Sequence, residues 1–316
     1  LVISDLFISG AIFLDKNEEY RHKIQGREGF MTRWIFAIIS VTLLSGCACL
    51  MKMGVNRLAP TFEKFGQTAQ KGNDPELLRI GAPSNLLMLD GLIEISPENP
   101  KLLTAAAQAY CAYAQAFVED EDVERAARIY LKGRDYGMRV LKSSISFRKK
   151  LESGERIEEA VKVLGKKYIP AIFWTGTCWA GWLNLSKRDP KALLDVPSIK
   201  GLMERVYQLD DTYYYGAPHL FFGVYYAGLP TIAGGGAEKS KVEFEKAIEI
   251  TGGKNLLPYV MYAQSYATLV QERELFESLL NKVLESPSDA VPEMTLVNEV
   301  AKKRAAKLLK EADKYF

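Results

Sequence analysis

The residue best suited to chemistry in this chain is His219, in Tyr213-Tyr214-Tyr215-Gly216-Ala217-Pro218-His219-Leu220-Phe221-Phe222-Gly223. The only other histidine is His22. One imidazole can carry a proton, but general acid–base catalysis needs positioned partners. No GxSxG nucleophile motif accompanies it, and two histidines cannot build a His-based metal cluster. A lone histidine among rings more often makes a structural hydrogen bond. No catalytic residue, metal site or cofactor is therefore expected. Gly234-Gly235-Gly236 precedes a helical pattern with Lys239 and Lys241 close by. Backbone N–H groups at a helix start can hold an anion, but the strand and spacing of a Walker loop are missing, so a flexible turn is the reading. Asp120-Glu121-Asp122 lacks the spacing of a calcium loop and reads as a solvated loop.

The second chemical group is a thiol. Residues 31–47 read MTRWIFAIISVTLLSGC. Arg33 supplies a short positive region, and the uncharged run from Trp34 to Leu44 is too short to cross a bilayer, which takes about 20 residues. It suits a secretory signal. The run ends in Leu44-Ser45-Gly46-Cys47, which looks like a bacterial lipobox, and Cys47 would carry the diacylglycerol. On this reading residues 1–30 are an upstream extension, 31–46 a lipoprotein signal peptide and 47–75 a lipidated connector. Residues 76–316 form the folded domain, and several acyl chains make a stable anchor. Of the remaining cysteines, Cys49, Cys111 and Cys178, the last two sit beside aromatics in apolar helices. They are expected to be buried thiols behaving as small hydrophobes; a Cys111–Cys178 disulfide stays open, since pairing cannot be deduced from sequence.

Positioning falls to helices. A small residue followed three positions later by an aromatic one recurs as Ala107–Tyr110, Gly176–Trp179, Gly223–Tyr226 and Ala263–Tyr266, each followed by a second amphipathic helix. Recurrence of this kind marks stacked helical hairpins. The small residues let helices approach and the rings fill the space beside them. Ala107, Tyr110, Gly176, Gly223, Phe244, Ala247 and Ala263 are accordingly the expected packing residues. The spacing predicts an all-α array of degenerate tetratricopeptide-like hairpins, an α-solenoid. Asn99 and Pro100 open one first helix, Ala237 to Ile250 forms the clearest second helix, and a charged helix from Glu293 to Lys314 either caps the array or reaches to another subunit. Such arrays offer surfaces to partners and rarely do chemistry. The net charge of +2, from 41 basic and 39 acidic residues, argues against a dedicated nucleic-acid binder.

Aromatics are abundant, at 16 Tyr, 14 Phe and 4 Trp. If first helices line an inner face, Trp174, Trp179, Tyr215, His219, Phe222, Tyr226, Tyr262 and Tyr266 would border an apolar pocket or pore. The plainer reading of each is core between helices.

The lipobox at Cys47, the segment YYYGAPHLFFGVYYAGLPTIAGGG (213–236) and KSKVEFEKAIEI (239–250) together resemble the T-component family of TRAP (tripartite ATP-independent periplasmic) transporters, over roughly Cys47 to Phe316. The resemblance implies a periplasmic lipoprotein without catalytic activity, held at the outer membrane by preference. It implies a homo-oligomer, in trimeric form, with a pore or pocket through each subunit. The implied partner is the extracytoplasmic solute-binding protein of the transporter, with which it would exchange a ligand of hydrophobic character. A generic scaffold for envelope-protein assembly is the alternative, and an enzyme built on His219 the third.

Overall fold

The computed structural model describes residues 50–62, 64–186 and 189–316. Cys47, the signal peptide and the upstream extension lie outside them. The chain divides into two compact units, Leu1–Asn56 and Arg57–Phe316. Of the first, residues 50–56 are described, and they are helical. Helical residues 57–62 and 64–70 count with the second unit. The rest concerns that unit.

No strand occurs among the described residues, and none of their helices is long and apolar enough to cross a membrane. Helix α1, Pro75–Ile95, starts where Asp74 accepts hydrogen bonds from the N–H groups of Glu76 and Leu77, with Pro75 in its first turn. Proline is tolerated there because its missing N–H would have no helical partner. Helix α2, Pro100–Tyr113, starts the same way from Asn99. It widens into a π turn at Ala114–Val118 before helix α3, Val123–Lys142, capped by Asp122. Two short helices follow, α4 (Ile145–Glu152) and α5 (Ile157–Ala160). Then come α6 (Ile169–Leu185), α7 (Val196–Leu209), α8 (Tyr213–Ala227), α9 (Ala237–Ile250) and α10 (Leu257–Tyr262), which widens at Ala263–Ala267. Helices α11 (Arg273–Glu285) and α12 (Thr295–Lys310) complete the order.

The hairpins are α2–α3, α6–α7, α8–α9 and α10–α11, packed so that α3 lies on α6 and α7 on α8. Small residues decide how closely they approach. A Cβ added at Gly133 would lie 2.6 Å from Cys178 Sγ and 3.3 Å from the Ala107 carbonyl oxygen; at Gly137 it would lie 2.1 Å from Thr175 Oγ1. At Gly176 it would meet Met203 Sδ at 2.8 Å, and at Gly223 the Phe244 ring at 3.0 Å. Ala107, Phe244, Ala247 and Ala263 are wholly buried and Tyr110 nearly so. The Tyr110 hydroxyl donates to Asp90 at 2.7 Å, as does Tyr136, and Lys132 Nζ adds a third bond at 2.6 Å. Burial alone would raise the Asp90 carboxyl; these donors outweigh it and hold the group below the usual carboxylate range. Asp90 thereby ties α1 to α2 and α3.

Near the C-terminus, Phe244, Val260, Phe276, Leu280, Ala301 and Ala305 share one core. Buried Asn298 organises its edge. Its Oδ1 accepts from Leu256 N–H and its amide donates to the carbonyls of Lys254 and Ser288, each at 2.9 Å. Helix α12 turns back to the first hairpin. Arg304 pairs with Glu119 and donates to the Gln115 carbonyl at 3.0 Å, while Lys307 lies 3.7 Å from Asp120. The acidic run therefore does more than face solvent: it caps α3 and receives α12.

Candidate functional site

The aromatic stretch 213–226 is where the backbone departs most from a regular helix. Tyr214, Tyr215 and Gly216 are left-handed, with φ of 47°, 64° and 77°. The cause is written two residues on. Pro218 has no N–H to give the Tyr214 carbonyl, and its ring would clash with that carbonyl in a continuous helix; the residue before a proline also resists the helical region. The chain makes its turn before Pro218 instead. Gly216 takes the conformation freely, and its N–H donates to Thr212 at 3.0 Å. The two tyrosines take it at about 1–2 kcal/mol each.

Contacts offset that strain. The Tyr214 ring meets Trp174 edge-on at 5.1 Å and Phe173 at 5.6 Å, and its hydroxyl accepts from Gln70 Nε2 at 2.8 Å. Burial pushes this phenol well up. Tyr215 lies beside it at 5.5 Å, half-buried. Trp174 and Tyr215 thus belong to one cluster, joined through Tyr214.

His219, Phe222 and Tyr226 form a second cluster on the next turns of α8. His219 is 3% exposed, yet charged groups face both ring nitrogens. Nδ1 is 2.6 Å from Glu243 Oε2 on α9, while Nε2 is 3.6 Å from Asp211 Oδ2 and has no hydrogen-bond partner. Tyr207 from α7 stands edge-on to His219 at 4.8 Å and to Phe222 at 5.4 Å. Phe222 continues to Tyr226 at 5.7 Å, and Lys239 Nζ sits 5.6 Å from the centre of the Tyr226 ring. Burial raises the phenols of Tyr207, Tyr225 and Tyr226, so these hydroxyls stay neutral donors at ordinary pH.

The other expected residues lie apart. Trp179 donates from Nε1 to Asp195 at 2.9 Å, under the guanidinium of Arg134. Tyr262 and Tyr266 pack at 5.0 Å within the C-terminal core, Tyr262 stacked on Phe244. The eight residues are therefore divided among four places. The sequence reading missed Tyr207, Asp211, Glu243 and Tyr214, the groups that orient His219 and Trp174. The Gly-Ala-Pro run at 216–218 was the local sign of a break in the helix.

The chemistry available is modest. Cys111 and Cys178 are free, buried thiols; Cys178 Sγ points to the Ala107 carbonyl at 3.4 Å, and burial pushes its thiol well up, the opposite of an activated nucleophile. The N–H groups of Gly234, Gly235 and Gly236 go to the carbonyls of Thr231, Pro230 and Tyr226, and Lys239 donates to the Gly234 carbonyl. That loop is occupied by its own bonds, as a turn, not an anion cradle. No group of three or more His, Cys, Asp or Glu side chains suited to a metal occurs among the described residues. A surface hollow of about 320 Å³ is lined by Lys142, Arg148, Leu151 and Glu152, none of them in the aromatic clusters.

A family model described as TRAP transporter T-component matches residues 71–316. An uncharacterized protein of Treponema pallidum (strain Nichols) is 23% identical over 312 residues, covering 89% of this chain and 96% of that protein.

Proposed function

This chain belongs to the TRAP transporter T-component family, and on that premise we propose that it docks the solute-binding protein of its transport system and exchanges a ligand of apolar character with it. A role within a TRAP transport system follows from the family itself. The observation that carries the reading is the span of the match, which takes in every helix from α1 to α12. The aromatic clusters of α6 and α8 support the finer part. They combine half-buried rings (Tyr215, Tyr225, Tyr226) with one buried, unbonded nitrogen, His219 Nε2, and apolar walls with few polar anchors are how proteins hold apolar ligands. The protein works without catalysis, exported, tethered by lipid on Cys47 to a membrane (the outer one by preference) and in homo-oligomers.

Crosslinking in native membranes followed by affinity isolation tests the docking. The expected result is recovery of a solute-binding protein; recovery of unrelated envelope proteins alone sinks it. One observation favours the second reading, a scaffold for envelope assembly with no small ligand. Trp174, Trp179, His219 and Phe222 are each under 8% exposed and already in contact with their own chain. Organic extraction of the purified protein and mass spectrometry separate the two, since a scaffold releases no stoichiometric small molecule.

A further inference from the structure

The carboxylates around His219 lack a cation. Asp211, from the turn between α7 and α8, and Glu243, from α9, face its ring at 3.6 Å and 2.6 Å. Among the described residues, neither pairs with a lysine or arginine. The lysines that reach Tyr226 are engaged elsewhere, Lys200 with Glu204 and Lys239 with the Gly234 carbonyl. The proton on the ring is fixed by this arrangement. A carboxylate only accepts, so the short contact with Glu243 places the hydrogen on Nδ1. A second N–H, on Nε2, would close on Asp211 to about 2.7–2.9 Å. The gap stays at 3.6 Å, and Nε2 is a buried nitrogen with no hydrogen-bond partner. Nε2 therefore turns a lone pair towards the Asp211 carboxylate. Two acceptors face each other across a gap with one side buried and the other 51% exposed, so it can be reached from the surface.

What suits such a pair is a positive donor with more than one hydrogen. One nitrogen can stand about 2.8 Å from both acceptors, given their separation of 3.6 Å. A carboxylate brings no hydrogen and is repelled. An alcohol brings one and leaves one acceptor unmet. A zinc-type ion takes at least three protein ligands, and no suitable group of three occurs among the described residues. The rings complete the setting. Tyr207 lies 4.8 Å from His219 and 5.4 Å from Phe222, and aromatic faces attract ammonium groups. Burial first, then the fields of Glu243 and Asp211, raise the Tyr207 phenol, so both carboxylates act across this cluster.

We propose that His219 Nε2 and Asp211 bind the ammonium head of an organic amine beside the rings of Tyr207 and Phe222, with Glu243 as the positioning residue that holds the imidazole. This names the polar end of the ligand in the proposed exchange. It rests on that reading for its role in transport, not for binding itself. The test uses the full-length protein in non-ionic detergent, labelled with nitrogen-15 histidine. The chain has two histidines, and His22→Gln assigns their signals. Hexylammonium at near-neutral pH is expected to move the His219 Nε2 resonance saturably, and hexanoate is not. Asp211→Asn is expected to weaken hexylammonium binding at least tenfold with Tm unchanged. Glu249→Gln, at an exposed carboxylate of α9 paired with Lys246, is expected to bind as wild type does. No saturable shift with hexylammonium means that water alone meets Nε2, and overturns the proposal. Equal shifts with hexanoate, or unchanged affinity in Asp211→Asn, overturn it too. Hexylammonium binding without recovery of a solute-binding protein on crosslinking leaves the amine site and removes docking; recovery without binding does the reverse.

Discussion

The α3–α6 contact and helix α8 solve the same packing problem by opposite means. Between α3 and α6, glycines bring backbones together: Gly133 and Gly137 leave room for Cys178 and Thr175, and Gly181 lies under the Tyr130 ring. Gly223 brings α8 close to α9, but on its α7 side α8 is packed by rings. Tyr207, Phe222 and Tyr226 wedge α8 against its neighbours, and the helix begins in a left-handed turn. Backbone approach leaves no slack, because an interior packed like a crystal has nowhere to put an added methyl. Ring packing tolerates small shifts, keeps tyrosine edges at the surface and leaves His219 Nε2 unbonded. The first region is packed as a frame; under the proposed function the second would be the part that adapts to a ligand.

The largest expected effect breaks the frame. Gly137→Val places a side chain 2.1 Å from Thr175 Oγ1 and 3.3 Å from the Thr175 Cα. It should cost about 3 kcal/mol or more and lower Tm by roughly 6–12 °C. A thermal midpoint within a degree or two of wild type would show that α3 and α6 are not in close contact. Next, Glu243→Ala strips His219 Nδ1 of its partner inside the aromatic region. The buried donor left behind should cost about 2 kcal/mol in urea unfolding, less than Gly137→Val; the reverse order would contradict the contrast between rigid and adaptable packing.

Asp90 sharpens the frame side through pH. Its folded carboxyl lies below the ordinary value, so its contribution is complete above the unfolded carboxylate pKa and fades as the pH falls through the folded one. Asp90→Asn should lose about 1–2 kcal/mol at neutral pH and show a shallower decline of stability on acidification. Equal acid slopes for the two proteins would remove Asp90 from the account. The smallest effect is a gain. Tyr215→Gly relieves a left-handed tyrosine and should raise stability by about 1 kcal/mol. A loss would mean that the Tyr215 ring contributes more than its backbone strain takes away.

Much of the frame was legible because its signals are local. Asn99 with Pro100 has the cap, and the run Ala237–Ile250 the helical spacing, that the structure reproduces, and the small-then-aromatic pairs mark the first helices. The unread parts depend on partners distant in sequence. Nothing near Asp120 announces Lys307, nothing near Tyr214 announces Gln70, and α4 and α5 carry no repeat pattern between Ser143 and Tyr168. The candidate site suffered most. Rings at helical spacing look alike in sequence whether they join one cluster or four. Only three-dimensional placement separates Tyr262, in the C-terminal core, from Trp174 beside Tyr214.

The return of α12 to the first hairpin has a consequence for biosynthesis. The acidic corner at Glu119 and Asp120 leaves the ribosome long before Arg304 and Lys307 exist. An open array can consolidate hairpin by hairpin as it is made; here Glu119 has the Tyr130 hydroxyl from the start, but the earliest hairpin gains its cationic partners only when the final helix arrives to fasten it. A nonsense codon just ahead of α12 would therefore damage both extremities of the body at once, and a nascent chain stalled there should be a preferred substrate for proteases.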